Sequence, residues 1–129
     1  MDTRDPYNDE VRACFANPVH AGEPDGRYAR VARGGASESA RGARLTLAAG
    51  IEGGAVRTLR FRAWGCPHLI AAAELYCRER EGRDVAALGG VDVDGMMARL
   101  AVPVEKTGRL LLLEDAAQRL ATAAGGKED

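Results

Sequence analysis

The stretch LRFRAWGCPHLIAAAE, residues 59–74, changes its hydrophobic period half-way along. Its first half alternates apolar and polar residues, which is the two-residue period of a β-strand with one buried face. From Pro67 onward the apolar residues return every three or four positions, as on one face of an α-helix. The sequence therefore predicts a strand at 55–64 and a helix that begins at Pro67 and ends near Gly82, with Cys66 at the corner between them.

The same alternation occurs upstream at 43–49, and a further β-like stretch spans 27–33. The short glycine-containing connection at 50–54 favours an antiparallel hairpin. Helical periodicity is found at 7–15, 92–99 and 109–123. We therefore expect an α+β fold, in which a three-stranded antiparallel meander has helices packed on one face. A length of 129 residues suits one domain, and its ends, 1–5 and 124–129, are expected to be mobile.

Composition excludes several classes of protein. The formal net charge of −1 gives no overall field that would attract nucleic acid. No apolar run approaches the length of about 20 residues that is needed to span a membrane. The N-terminus lacks the pattern of a secretory signal. The three cysteines are an odd number at wide spacings, which is typical of a reducing compartment. We expect a cytoplasmic protein that binds neither nucleic acid nor a membrane.

The arginines are unevenly distributed. Eight of them lie between Arg27 and Arg62, against only two acidic residues, Glu38 and Glu52. One interpretation is that they are the solvated residues of the strands. The other is that they form a docking face for an acidic partner.

Cys66 is the most reactive position that the pattern offers. A thiol at a helix N-terminus lies at the positive end of the helix dipole, which favours the thiolate, although a small residue there can equally be chosen for packing. His68 is close enough to share a ligand set with Cys66, but the two are only half of a tetrahedral site, and no C-x-x-C motif supplies the rest. Cys14 and Cys77 fall on apolar helix faces and are expected to pack as small hydrophobes. His20 stands in a turn and is expected at the surface.

Four segments, in this order, resemble the IscU/NifU-type scaffold proteins of iron–sulfur cluster assembly, and specifically the N-terminal NifU-like domain. They are YNDEVRACFANPVHAGEPDG, GGASESARGARLTLAAG, LRFRAWGCPHLIAAAE and VPVEKTGRLLLLEDAAQRLATA. The resemblance covers nearly the whole chain. It implies the SufE/NifU (IscU)-like fold, with the same meander and one-sided helices.

The resemblance also implies where cluster ligands would lie. Family scaffolds build a [2Fe–2S] cluster on three cysteines plus an aspartate or histidine, and accept sulfur from a cysteine desulfurase. The first cysteine falls at Ser39, the aspartate at Arg41, the second cysteine at Cys66, and the His-Cys pair at Gly108 and Arg109. Only Cys66 is kept. Serine is a poor donor and arginine cannot donate to iron, and both arginines are expected to lie near Cys66.

Three functions in iron–sulfur cluster biogenesis follow, all for a binding protein rather than an enzyme. The first is a degenerate scaffold with weak, shared or no cluster binding, in which Cys66 and His68 hold iron or a [2Fe–2S] cluster with donors from a partner, a second subunit or glutathione. The second is an interaction protein that docks a cysteine desulfurase or another assembly factor. In the third, the Cys66 thiol accepts sulfur as a persulfide. The sequence leaves the oligomeric state open.

Overall fold

The computed structural model describes residues 7–125, except for the side chain of Arg41. In this part of the chain a sheet has three antiparallel strands in sequence order: β1 (Arg30–Glu38), β2 (Ala43–Glu52) and β3 (Ala55–Trp64). Four helices accompany it: α1 (Asp9–Ala16), α2 (Pro67–Arg80), α3 (Val93–Leu100) and α4 (Thr107–Gly125). The predicted α+β class and meander are confirmed. Of the ends expected to be mobile, 1–5 and 126–129 lie outside the described residues, whereas Ala124 and Gly125 belong to α4.

Strands β2 and β3 form a tight hairpin. Gly53 and Gly54 have φ angles of 57° and 77°, the left-handed conformation that a two-residue hairpin turn requires. Strand β2 continues to Glu52, past the predicted end at residue 49, because buried Ile51 extends the alternation. The connection predicted at 50–54 is therefore reduced to two residues.

Strand β1 lies further along the chain than predicted, at Arg30–Glu38 instead of 27–33. Gly34 is typical of a loop in sequence, but here it lets α4 pack directly on the strand. A Cβ atom at Gly34 would lie 2.3 Å from the backbone nitrogen of Leu120. At the C-terminal end of α4, the Arg30 guanidinium donates hydrogen bonds to the carbonyls of Ala123 (3.0 Å) and Ala124 (2.5 Å). Helix α4 therefore runs antiparallel to β1, with its N-terminus beside the end of β1.

The core lies between one face of the sheet and helices α2 and α4. The sheet contributes alternate residues to it, chiefly Leu45, Leu47, Leu59 and Phe61. Helix α4 contributes a stripe of buried residues at helical spacing, which includes Leu113, Ala116, Ala117 and Leu120. Cys14 and Cys77 are both fully buried, as expected, and burial is the main cause that raises the pKa of each thiol. These two thiols are structural.

The other face of the sheet has no helix packed on it in the part of the chain that the structure describes. Residues 17–29, the edge loop, first pair with the outer edge of β3 and then cross this face to reach β1 on the opposite edge, and Tyr28 of the loop contacts Thr58 of β3. The Gly22 N–H donates to the carbonyl of Phe61 (2.8 Å), and the Phe61 N–H donates to the carbonyl of His20 (3.0 Å). Among residues 7–125, no helix is long and apolar enough to cross a membrane.

Candidate functional site

The positions singled out from the sequence lie at one end of the sheet. Ser39 follows the last residue of β1, and Cys66 follows β3 by two residues. Gly108 and Arg109 are in the first turn of α4, which lies beside the end of β1. The fold therefore assembles the site from the ends of two strands and the starts of two helices. Arg41 ends a short 3-10 helix after β1, and its side chain lies outside what the structure describes.

Cys66 is the N-cap residue of α2. Its backbone is extended (φ −79°, ψ 162°), and its carbonyl accepts the N–H groups of Leu69 (3.0 Å) and Ile70 (3.3 Å). Its side chain makes no capping hydrogen bond. Pro67 follows at the first helical position, where its missing N–H costs no hydrogen bond. Cys66 is half-buried, which leaves it the one thiol among the three cysteines that solvent or a partner can reach.

His68 is two residues further on but is fully buried. Its ring packs against Tyr7, with 4.8 Å between ring centroids, and neither ring nitrogen has a hydrogen-bond partner among the described residues. Burial first, and then the positive charges of Lys106 and Arg109, lower the pKa of His68 below its ordinary value of 6.5. The imidazole is therefore neutral at pH 7 and enclosed by the core rather than presented to solvent beside Cys66.

Arg109 is largely buried and forms an ion pair with the end of β1. Its side chain is only 14% exposed, and its Nη1 lies 4.0 Å from Oε1 of Glu38, the last residue of β1. This is an ion-pair distance rather than a hydrogen bond, and Nη1 has no hydrogen-bond partner in residues 7–125. A guanidinium group thus lies where the resemblance places a cluster ligand. Gly108 beside it has no side chain that could donate, and Ser39 is exposed.

Sequence reasoning missed a buried polar network on the far side of α2. His20, expected at the surface, is only 9% exposed. Its Nδ1 lies 2.7 Å from Oε2 of Glu74, its Nε2 lies 3.1 Å from Oε1 of Glu81, and its backbone N–H donates to Oε1 of Glu74 (2.9 Å). Glu74 lies outside the apolar stripe that helical periodicity indicates for α2, yet it is fully buried. The network ties the edge loop to α2, and its only sequence signal is a lone glutamate between Ala73 and Leu75.

Glu81 also joins this network to β3. Burial alone would raise the pKa of Glu81, but hydrogen bonds from the Leu59 N–H (2.9 Å), the Arg60 guanidinium (2.6 Å) and His20 outweigh burial and hold the pKa below its ordinary value of 4.5. The carboxylate therefore holds the edge of β3 against the end of α2.

The fold and the order of these elements agree with a known family. The sequence model of the family described as the NifU-like N-terminal domain matches residues 6–126, almost the whole chain. The chain belongs to this family. The resemblance drawn from the four sequence segments is thereby confirmed.

Solved structures with the same fold include the following two. One is described as an iron–sulfur cluster assembly scaffold protein for the SUF system, from the thermophilic Fervidobacterium islandicum AW-1; it is 12% identical, with a TM-score of 0.69 over 94% of this chain and 100% of that one. The other is the N-terminal part of a nitrogen-fixing NifU-like protein from Brucella abortus, 16% identical, with a TM-score of 0.50 over 91% of this chain and 81% of that one. At these identities the likeness shows the fold alone. No curated protein sequence matches this chain.

The donor set of this NifU-like domain does not fit a cluster. Iron–sulfur clusters are held by thiolates, with imidazole replacing some of them in certain centres. Within residues 7–125, no three His, Cys, Asp or Glu side chains are grouped so that they could hold a metal ion. Cys66 is half-buried and His68 is fully buried, while Arg109 lies where the resemblance places a ligand.

Proposed function

We propose that this NifU-like domain serves iron–sulfur cluster biogenesis as an interaction protein, which docks a cysteine desulfurase or another assembly factor and holds no cluster on its own side chains. The observation that carries the proposal is the Arg109–Glu38 ion pair at the position of a family ligand. The chain has kept the fold of a scaffold, whereas the side chains that would bind iron are replaced by ones that cannot.

Electrostatics supports the same conclusion. A guanidinium repels a cation by about 4 kcal/mol per pair of unit charges at about 4 Å and an effective dielectric constant of about 20. The Glu38 carboxylate offsets part of this repulsion, so charge alone does not exclude iron. The missing donors are the stronger argument, because a cluster needs about four protein ligands and Cys66 supplies one.

The alternative of weak or shared cluster binding requires His68 to act as a ligand with Cys66. An imidazole nitrogen without a partner is chemically able to bind iron. His68, however, is fully buried against Tyr7, so a shared cluster would require this part of the core to open. Docking requires no such rearrangement.

Capture by a cysteine desulfurase tests the proposal. The immobilised wild-type protein is expected to retain a purified desulfurase at micromolar concentrations, and the retained complex is expected to carry no iron on this chain. The Cys66→Ser variant should capture the enzyme equally well, because docking does not depend on the thiol. Absence of a complex at these concentrations would remove the basis of the proposal.

A second candidate function, sulfur acceptance at Cys66, is favoured by the placement of its thiol. Cys66 is half-buried at the N-terminus of α2, whereas Cys14 and Cys77 are fully buried. In the reaction, the Cys66 thiolate would attack the outer sulfur of a desulfurase persulfide. A new S–S bond would form on Cys66, and the desulfurase cysteine would leave as its thiolate.

Mass spectrometry after incubation with a desulfurase and cysteine tests this second function. Sulfur acceptance predicts the mass of one added sulfur atom on the Cys66 peptide and none on the peptides of the buried cysteines. An unmodified Cys66 peptide, in a sample where the desulfurase itself carries persulfide, would exclude this function.

A further inference from the structure

A cleft on the open face of the sheet lies at the same end as Cys66. Arg44 is opposite Trp64 in the antiparallel register, and Thr46 is opposite Arg62, so these cross-strand pairs are neighbours on one surface. With Ala63 they line one cleft, which we name the arginine–tryptophan cleft. Trp64 is 69% exposed. A tryptophan this accessible, between two arginines, is a feature that the fold itself does not explain.

The chain already binds one carboxylate on this face. Oε1 of Glu23, in the edge loop, accepts a hydrogen bond from Nη1 of Arg33 (2.7 Å), and its Oε2 forms an ion pair with Nε of Arg62 (2.9 Å). This leaves the terminal nitrogens of Arg62 without an ion pair or hydrogen bond in the described part of the chain. Arg44 is exposed and likewise makes neither contact among residues 7–125. This face therefore binds a carboxylate between two arginines, and the guanidinium groups of Arg44 and Arg62 can bind further carboxylates.

Apolar surface adjoins the cleft on the side of Cys66. Trp64 also lines a recess with Phe15 and Ile70, and Phe15 is 47% exposed. Ile70 belongs to the first turn of α2, where its N–H donates to the carbonyl of Cys66. Basic groups on one side and apolar groups on the other thus flank a single tryptophan. Tryptophan and arginine are among the residue types most enriched at the energetic centres of protein interfaces.

We infer that the arginine–tryptophan cleft is the docking surface for an acidic segment of a partner protein. Carboxylates of the segment bind Arg44 and the free side of Arg62, and an apolar side chain of the segment packs on Trp64. The inference rests on the proposed docking function and adds the chemistry of the partner. Nucleic acid fits less well, because binding a phosphate backbone draws on many cationic contacts and the chain has a net charge of −1.

Fluorescence anisotropy with three probes tests the cleft alone. The probes are a labelled peptide rich in aspartate and glutamate with one central leucine, the same peptide with lysine in place of the acids, and a labelled oligothymidylate. We expect only the acidic peptide to bind, and to bind less tightly as salt rises. Trp64→Ala is expected to weaken binding about tenfold and Arg44→Ala about threefold. Arg83→Ala is the matched control, since Arg83 is an exposed arginine beyond the opposite end of β3 and should change nothing.

Glu23→Gln sharpens this experiment. It removes the negative charge that competes for Arg33 and Arg62, so the acidic peptide should bind more tightly than it does to the wild type. Equal affinity for the wild type, Trp64→Ala and Arg44→Ala would overturn the cleft as the docking surface. Oligothymidylate that binds as tightly as the acidic peptide would overturn the assignment to a protein partner.

Desulfurase capture separates this inference from the function on which it rests. Capture by the wild type that is lost in the Trp64→Ala/Arg44→Ala double variant supports both. Capture that is equal in the wild type and the double variant refutes the cleft and keeps the docking function. Peptide binding that requires Trp64, together with no capture of a desulfurase, supports the cleft and refutes the desulfurase as its partner.

Discussion

Replacing His20 with alanine should destabilise the fold far more than removal of a surface ion pair. The change deletes the ring contacts to Glu74 (2.7 Å) and Glu81 (3.1 Å) and keeps the backbone N–H bond to Glu74 (2.9 Å). Glu74 is fully buried, so it stays behind as a charge that has lost its best partner. Among residues 7–125, the side-chain partner that remains is Arg78, at 3.4 Å.

The size of the effect follows from what Glu74 loses. Removing one partner of a buried charge pair costs about 3–5 kcal/mol, and one hydrogen bond to a charged group is worth about 1.5–3 kcal/mol. Because the backbone bond and Arg78 remain, the lower end of the first range applies. We expect a loss of about 3 kcal/mol in the free energy of unfolding, or about 10 °C in Tm for a domain of this length.

Urea unfolding followed by circular dichroism measures this loss. Arg33→Ala is the control, because its ion pair with Glu23 joins side chains that are 52% and 39% exposed, and it should cost less than about 1 kcal/mol. Adding Glu74→Gln to His20→Ala should recover part of the loss, since a neutral amide is less costly to bury than an unpaired carboxylate. A loss below about 1 kcal/mol for His20→Ala, or no recovery in the double variant, would refute the buried-charge explanation.

Two further predictions concern packing and acid stability. Gly34→Ala should cost about 1–3 kcal/mol in urea unfolding, because its Cβ would meet the backbone of α4 at Leu120, whereas Gly108→Ala, with open space around it, should be neutral or stabilising. The pKa of Glu81 is held below its ordinary value of 4.5. The stability that Glu81 contributes is therefore complete above pH 4.5 and is lost as the pH falls through the pKa of the folded state. Glu81→Gln should make the urea midpoint fall less steeply as the pH is lowered.

Much of the fold could be predicted from the sequence because it depends on local patterns. The alternation in β2 and β3 and the proline after Cys66 are read from neighbouring residues, and the structure confirms both. The bounds of β1 could not be predicted in this way. Taken with its sequence neighbours, Gly34 is typical of a loop. Its role in β1 is to let α4 pack closely, and the contacting residues of α4 lie more than eighty positions later in the chain.

The candidate site, too, could be predicted only where it depends on local sequence. Cys66 and the replaced ligand positions can be located from motifs and their order. The burial of His68 depends on Tyr7, and the setting of Arg109 depends on Glu38, so both need the tertiary structure. The pairing of His20 with Glu74 joins residues that are 54 positions apart, and no short motif marks it.

Anaerobic reconstitution decides whether this NifU-like domain can hold a cluster by itself. The wild type and a variant with the family's donors restored, Ser39→Cys/Arg41→Asp/Arg109→Cys, are incubated with iron and sulfide and then desalted. If the domain docks a partner and holds no cluster, the wild type should retain no visible absorbance and no iron. The variant should retain both, because three donors join Cys66 at one end of the sheet. Absorbance that survives desalting in the wild type and disappears in Cys66→Ser would contradict the proposed function and show that the domain is still a scaffold.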